Sequence, residues 1–393
     1  MNENQQRQEG IDRYLKGEKI AQIVRSLGKS RKWLHHWINR YKSNVTNENW
    51  FLDESKAPKK TNPSIDAEME QHVLLIRNDL VKEKMAQIGA ISIQYECEKR
   101  GIHPVPPVWT INRVITKYGL NKQAAVYKTP KEYPEFFCHT HQMDLVGPRY
   151  IKGDGQFYSV NLIDITTHSC FVKAVRTKSS DGIVQAIASF WKIHGMPDAL
   201  QMDNELAFRG SNRYPRSFGS VVRFALSQGV APVFIPVKEP WRNGIIEKFN
   251  GTYQKKFLRA YTFKDFEQLC LQEQSFINFH NTHHRYSSQK HKTPDEMNAL
   301  MLPAIYYKGT EHLPSLKDKM AIKIPLYQGC VYFIRYIRSD LKLYLPNESF
   351  TVKENLKYSY VVAEINIENH CLNIRQNGEI KQMIPYTISA IDW

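Results

Sequence analysis

The chain has 393 residues, 42% hydrophobic and 24% charged; the composition is that of a globular protein, and the length predicts roughly two to four domains. It holds no apolar run of about eighteen residues and no basic-then-apolar leader, which predicts neither a membrane span nor a secretory signal. Lys and Arg exceed Asp and Glu by 54 − 39 = 15, a surplus that favours a polyanionic partner.

The excess lies in the first two thirds: 22 − 14 = +8 over residues 1–130, 24 − 18 = +6 over 131–322, and 8 − 7 = +1 over 323–393. A nucleic-acid footprint is expected there. Cys97, Cys138, Cys170, Cys270, Cys330 and Cys371 lie far apart with no CxxC pair, so they read as reduced thiols and not as a disulfide frame or zinc site.

In chain order, Ile20, Ile23, Val24 and Leu27 have helical spacing, Gly28 suits a left-handed helix end, and Ser30 suits an N-cap. Leu34, Trp37, Ile38 and Tyr41 then continue at helical spacing. Two helices on a glycine turn predict a helix-turn-helix, whose second helix can enter a major groove. Lys29, Arg31, Lys32, Arg40 and Lys42 would give that helix a basic face for phosphates. Residues 53–63 have linker composition. Helices are expected over 65–81, 86–100 and 108–120, with Arg113 and Lys117 sharing a face of the last: a second helix-turn-helix-like unit.

From about residue 139 the pattern becomes α/β. QMDLVG, FYSVNLIDI and CFVKAV are strand-length runs separated by GDG and TTHS, which predicts an antiparallel meander. A helix (181–194), a strand ending at Asp203, a strand at 233–235 and a helix from Gly244 to Tyr261 follow. That order is the order of an RNase H-like core. The last seventy residues read as short strands with an Asn377-Gly378 hairpin turn, and a small β-barrel fits them.

A carboxylate inside an apolar strand costs several kcal/mol unless it is paired or holds a metal. Asp144 in QMD and Asp203 in ALQMDN are such acids. Convergent carboxylates without His or Cys suit hard cations such as magnesium or manganese, and two such ions can serve phosphoryl transfer.

HQMDLVG, LQMDNELAF and NGIIEKFNGTYQKKF, with HNTHHRYSSQKHKTPDEM after them, resemble the integrase core shared by bacterial insertion-sequence transposases and retroviral integrases. The resemblance spans roughly residues 135–300 and implies an Asp, Asp, Glu (DDE) triad holding two magnesium ions, with manganese as a substitute. It implies end cleavage and strand transfer on double-stranded DNA, transposon ends and target, by a homo-oligomer in the bacterial cytoplasm and nucleoid. Asp144 and Asp203 match the motifs. Family spacing of thirty-five intervening residues would choose Glu239 as the third acid (203 + 36 = 239). The layout from Gly229 instead runs 247 − 229 = 18 positions to the acid of NGxxE, so the extra residues are expected in RGSNRYPRSFGS and the third acid is Glu247.

Ile246, Phe249, Tyr253 and Phe257 form an apolar stripe that anchors the Glu247 helix. Glu239 lies in a loop beside Pro240 without such support. Asn204, Asn243 and Gly244 are expected to shape the site, and Lys248, Lys255, Lys256 and Arg259 to grip DNA. Asp164 reads as surface turn chemistry or a fourth carboxylate. Glu205 stands where the family has glycine, which questions that loop, because Glu tolerates positive φ poorly. His139, His141, His283 and His284 form no zinc-finger spacing.

The expected architecture is therefore multidomain: a helix-turn-helix domain (1–47), a linker (48–64), a second helical domain (65–130), an α/β RNase H-like core with a mixed five-stranded sheet (131–300), a linker (301–325) and a small all-β barrel (326–393). The expected function is DNA transposition. The rivals are a DNA-binding regulator with an inactive core, against which an intact triad argues, and an RNase H-type nuclease, which would not require the N-terminal modules.

Overall fold

The computed structural model describes residues 2–43, 49–53, 66–121, 133–134, 136–213, 215–301, 304–309, 326 and 328–389. The linkers expected at 48–64 and 301–325 lie largely outside the described residues. The chain divides into two compact units, 1–64 and 65–393.

The first unit holds α1 (Glu3–Leu15), α2 (Ile20–Leu27) and α3 (Arg31–Ser43). Gly28, at φ 66°, ends α2, and Ser30 Oγ accepts the Trp33 N–H, so the helix-turn-helix is built as its residues dictate. Ile23, Leu34, Trp37 and Ile38 form its core with Ile11 of α1. Periodicity missed α1 because Ile11 is its one buried apolar side chain among the described residues. Its other inward positions are Gly10, where an added Cβ would lie 3.2 Å from Leu34, and Arg7, which donates to the Phe51 carbonyl at 2.8 Å and lies over the Trp37 ring.

The second unit opens with α4 (Ala67–Lys82), α5 (Ala90–Lys99) and α6 (Val108–Lys117), packed through Val73, Ile76, Ile93, Cys97, Ile111 and Val114. Helix α5 starts at Ala90, not Ala86. The α5 to α6 connection runs through residues 100–107 and contains HPVPP; it is longer than the three- or four-residue turn of a helix-turn-helix.

The core follows: β1 (Thr140–Ile151), β2 (Gly155–Asp164), β3 (Cys170–Val175), α7 (Ser180–His194), β4 (Ala199–Met202), α8 (Leu206–Arg209), α9 (Ser220–Ser227), β5 (Ala231–Phe234), α10 (Gly244–Tyr253), α11 (Phe266–His283) and α12 (Pro294–Asn298). Strand order β3-β2-β1-β4-β5 is antiparallel through the meander and parallel across β1, β4 and β5, the mixed sheet expected. The stripe of α10 is buried as expected, with Tyr253 and Phe257 fully so, although the helix passes into a π-helical turn over Gln254–Leu258.

The C-terminal strands β6 (Cys330–Tyr336), β7 (Lys342–Leu345), β8 (Glu348–Thr351), β9 (Tyr360–Asn366), β10 (Cys371–Gln376) and β11 (Glu379–Pro385) form the all-β region expected, and their strand pairing does not establish the small barrel. Among the described residues β6, β9, β10 and β11 continue the core sheet, and β7 with β8 forms a separate hairpin. Strand β6 pairs with β5 through Val233 and Phe234. An edge strand such as β5 offers unpaired backbone groups to any neighbour, and strand-like sequence does not reveal which edge it will meet. Buried Arg335 of β6 secures the junction, donating to the Ile235 carbonyl and to Asn204 Oδ1 at 2.9 and 2.7 Å. Asn377 and Gly378 make the hairpin turn, at φ 51° and 82°.

Candidate active site

Asp144 lies mid-strand on β1, Asp203 follows the last residue of β4, and Glu247 lies in the first turn of α10. A repeat within the sequence explains how they come together. Gln142-Met143-Asp144 and Gln201-Met202-Asp203 spell the same tripeptide, and Gln142 pairs in register with Gln201 across the parallel strands β1 and β4. Side chains alternate along a strand, so each Gln shares a face with its Asp. Both glutamines meet the start of α10: Gln142 Oε1 accepts the Ile246 N–H at 2.9 Å, and Gln201 Nε2 donates to Asn243 Oδ1 at 2.9 Å. An orphan N–H of the helix start is thereby satisfied from the sheet, and the charge of Glu247 reaches Asp144.

Neither glutamine was singled out from sequence, although the repeated QMD was the available signal. Asn250, three residues after Glu247, was also missed; its amide donates to Asp144 Oδ2 at 2.6 Å and accepts from Asn161 at 2.7 Å. Gln142→Leu should lower stability by about 1–3 kcal/mol, because the Ile246 N–H is left buried without a partner; chemical denaturation checks it.

The electrostatics are those of carboxyls raised by burial, with like charge added at Asp144. Burial, opposed by the Leu145 N–H and reinforced by the charges of Asp203 and Glu247, pushes the Asp144 carboxyl up to about 6. Burial also raises Asp203, which accepts the Glu205 N–H, and burial raises Glu247. A buried carboxylate that feels like charge is what a bound cation relieves, so this oxygen-only set fits a hard divalent ion. The three carboxylates are not a closed cage: among the described residues only His139, His141 and Asp164 bring three ligand atoms within 4.8 Å of one another.

The remaining residues sort as follows. Asn204 bridges the site to the C-terminal strands, donating to the Ile235 carbonyl at 2.7 Å and accepting from Arg335. Asn243 is buried against Met143 and Gln201. Gly244 has an ordinary helical φ of −60°, and a Cβ there would meet nothing within 4 Å. Gly244→Ala should therefore leave the melting temperature unchanged or raise it, by less than about 1 kcal/mol of stability; thermal unfolding tests this. Glu205 takes φ −62°, which removes the concern over that loop, and pairs with Lys178.

Asp164 corrects its expectation twice. It is buried, 2% exposed, so it is not surface turn chemistry. It pairs in register with His141, an odd three positions from Asp144, and strand alternation puts it on the opposite face from the triad. Glu239 is not unsupported either: its carboxylate accepts from Tyr360 at 2.7 Å and from Arg242 at 3.1 Å.

The predicted insertion does not project freely. Gly219 N donates to the Arg209 carbonyl at 3.0 Å, and a Cβ on Gly210 would sit 2.6 Å from Gly219 N, so the chain closes on itself around residues 211–218. Those eight positions equal 247 − 239 = 8, the offset between the competing glutamates. Arg216 in the loop pairs with Glu348 of β8 at 2.7 Å.

Several basic residues already have partners. Lys117 pairs with Glu70 at 2.8 Å, Arg40 donates to the Leu52 carbonyl at 2.5 Å, and Lys256 donates to the Ala86 carbonyl at 2.8 Å. Lys29 and Arg113 lie near the rings of Trp33 and Trp109, while Arg31, Lys32, Lys248, Lys255 and Arg259 are exposed.

Residues 228–294 match the family model described as integrase core domain, and residues 1–46 match a homeodomain-like domain. The matched segment contains Glu247 and lies C-terminal to both aspartates. No curated protein matches the chain. Similar solved structures include the HTLV-2 integrase catalytic core domain in complex with magnesium, at 17% identity over 41% of this chain and 97% of that one, TM-score 0.31. The simian T-cell lymphotropic virus intasome in complex with PP2A regulatory subunit B56 gamma matches at 12% identity over 75% and 93%, TM-score 0.35. The catalytic core domain of BIV integrase matches at 12% over 41% and 93%, TM-score 0.32. Among the described residues no helix is long and apolar enough to cross a membrane.

Proposed function

We propose that the chain is a DDE transposase of the insertion-sequence type, which cleaves the ends of its element and joins them to target DNA. The observation that carries this reading is that the charges of Asp203 and Glu247 both reach buried Asp144, with the helix of Glu247 held to the sheet by Gln142 and Gln201. These three would hold magnesium, two ions with manganese as a substitute; when bound, the metal polarises the phosphate and stabilises the attacking and leaving oxygens of an in-line displacement. Asn250 and the Leu145 N–H fix the Asp144 carboxylate. Gln142 and Asn243 set the pose of α10 and thus of Glu247.

The homeodomain-like segment supplies DNA binding, with Lys29, Arg31 and Lys32 as its phosphate contacts and Arg40 buttressing its fold. Arg113, Lys117, Lys248, Lys255, Lys256 and Arg259 are the proposed contacts of the second unit, with Lys256 sharing its charge with the Ala86 carbonyl. Residues 65–130 form a second DNA-binding segment, 131–300 the catalytic segment and 326–393 an all-β segment. A homo-oligomer on paired DNA ends, acting at the nucleoid in the cytoplasm, completes the reading.

Purified protein incubated with labelled element-end duplex and a plasmid in magnesium tests it. Labelled plasmid is expected. Binding without joining would favour a regulator, and RNA–DNA hybrid cleavage without end specificity a nuclease.

A further inference from the structure

The geometry points to a second metal site of different chemistry, built by His139, His141 and Asp164 and taking a nitrogen-preferring divalent ion such as zinc. His139 immediately precedes β1 and His141 is its second residue, and their rings lie 5.1 Å apart edge to face. Asp164, the antiparallel partner of His141 on β2, completes the trio, whose ligand atoms all lie within 4.8 Å of one another. One imidazole from β1, one from the residue just before it and a carboxylate from β2 are a three-ligand zinc set with a fourth position left open.

A second observation is independent of that convergence. His141 is 0% exposed, and neither of its ring nitrogens has a hydrogen-bond partner. A neutral imidazole carries one donor and one acceptor, and buried polar atoms are rarely left unmatched.

The surroundings orient the trio as outer ligands do. Asp164 accepts from the Thr166 N–H at 2.7 Å and the Thr167 hydroxyl at 2.9 Å. His139 Nε2 meets Asp164 Oδ2 at 3.2 Å, the contact a shared ion would replace. Phe190 of α7 walls the site, its ring 4.7 Å from His141 and 5.0 Å from His194.

This site is not part of the catalytic one. Its residues lie on the opposite face of the sheet from Asp144 and about 10 Å along the strand, from three residues of extended rise. The donor sets also select different ions: oxygen alone for magnesium, nitrogen with oxygen for zinc or cobalt. A bound ion would tie the start of β1 to the end of β2.

The test uses the full chain, stripped with chelator and dialysed against micromolar zinc in millimolar magnesium, with bound metal measured by mass spectrometry. Wild type and Asp144→Asn are expected to retain one zinc more per chain than His139→Gln and Asp164→Asn. Equal zinc in wild type and both of the latter variants, or no zinc in wild type, overturns the site. His139 is the more exposed ligand, so His139→Gln carries the comparison if Asp164→Asn does not fold. Cobalt added to the stripped wild-type protein needs no variant: visible bands of a tetrahedral nitrogen and oxygen environment are expected, and their absence overturns the proposal.

Discussion

Glu247→Gln is expected to reduce strand transfer by about a thousand-fold or more, equivalent to roughly 4 kcal/mol of barrier, while Glu239→Gln leaves it within a few-fold of wild type. The amide keeps the shape of the acid but not its charge, and a metal clamp contributes several kcal/mol to phosphoryl transfer. Among the described residues Glu247 makes no hydrogen bond, so its carboxylate is free to ligate. Glu239 already serves Arg242 and Tyr360, and its loss should appear in stability, at about 1 kcal/mol. Quantifying joined product for both variants, with folding followed by circular dichroism, checks the pair. Loss of transfer in Glu239→Gln and retention in Glu247→Gln would return the third acid to the counted spacing.

Asp144→Asn should stabilise the metal-free protein while destroying its activity. A carboxyl whose folded value is raised stabilises the fold below its unfolded value, near 4, and loses that contribution as pH rises through about 6. At pH 7.5 the buried charge of Asp144 therefore costs about 3 kcal/mol, and asparagine removes that cost. The gain should be close to this at pH 7.5 without divalent metal, shrink toward zero near pH 4, and narrow when magnesium is added. Denaturant melts of both proteins across that range measure it. Equal stability at pH 7.5 would contradict the crowding of charge around Asp144.

The core was legible where local pattern and chemistry coincide. QMD and LQMDN announced themselves because acids in short apolar strands need a reason, and the stripe Ile246, Phe249, Tyr253 and Phe257 fixed the face of α10. What escaped depends on contacts between distant residues. Helix α1 packs through a glycine and an arginine, which periodicity does not weigh. The C-terminal strands were read as strands, but their pairing with β5 is a matter of which edge they meet. Asp164 looked like a turn residue until His141 of β1 and His139 just before it came beside it, and Lys117 and Lys256 looked free until Glu70 and the Ala86 carbonyl came beside them. The role of Gln142 and Gln201 was written in the repeated tripeptide, yet only the register of β1 against β4 shows that both serve one helix.

The central claim is that Asp144, Asp203 and Glu247 act as one metal-dependent centre on DNA. Joining of a labelled element-end duplex into plasmid, measured in magnesium for wild type, Asp144→Asn, Asp203→Asn and Glu247→Gln at matched DNA occupancy, tests it most directly. Transfer should be lost to a similar extent in all three variants while DNA binding is retained. Transfer at the wild-type rate in any one of them would remove that residue from the centre, and at the wild-type rate in all three would contradict the assignment altogether.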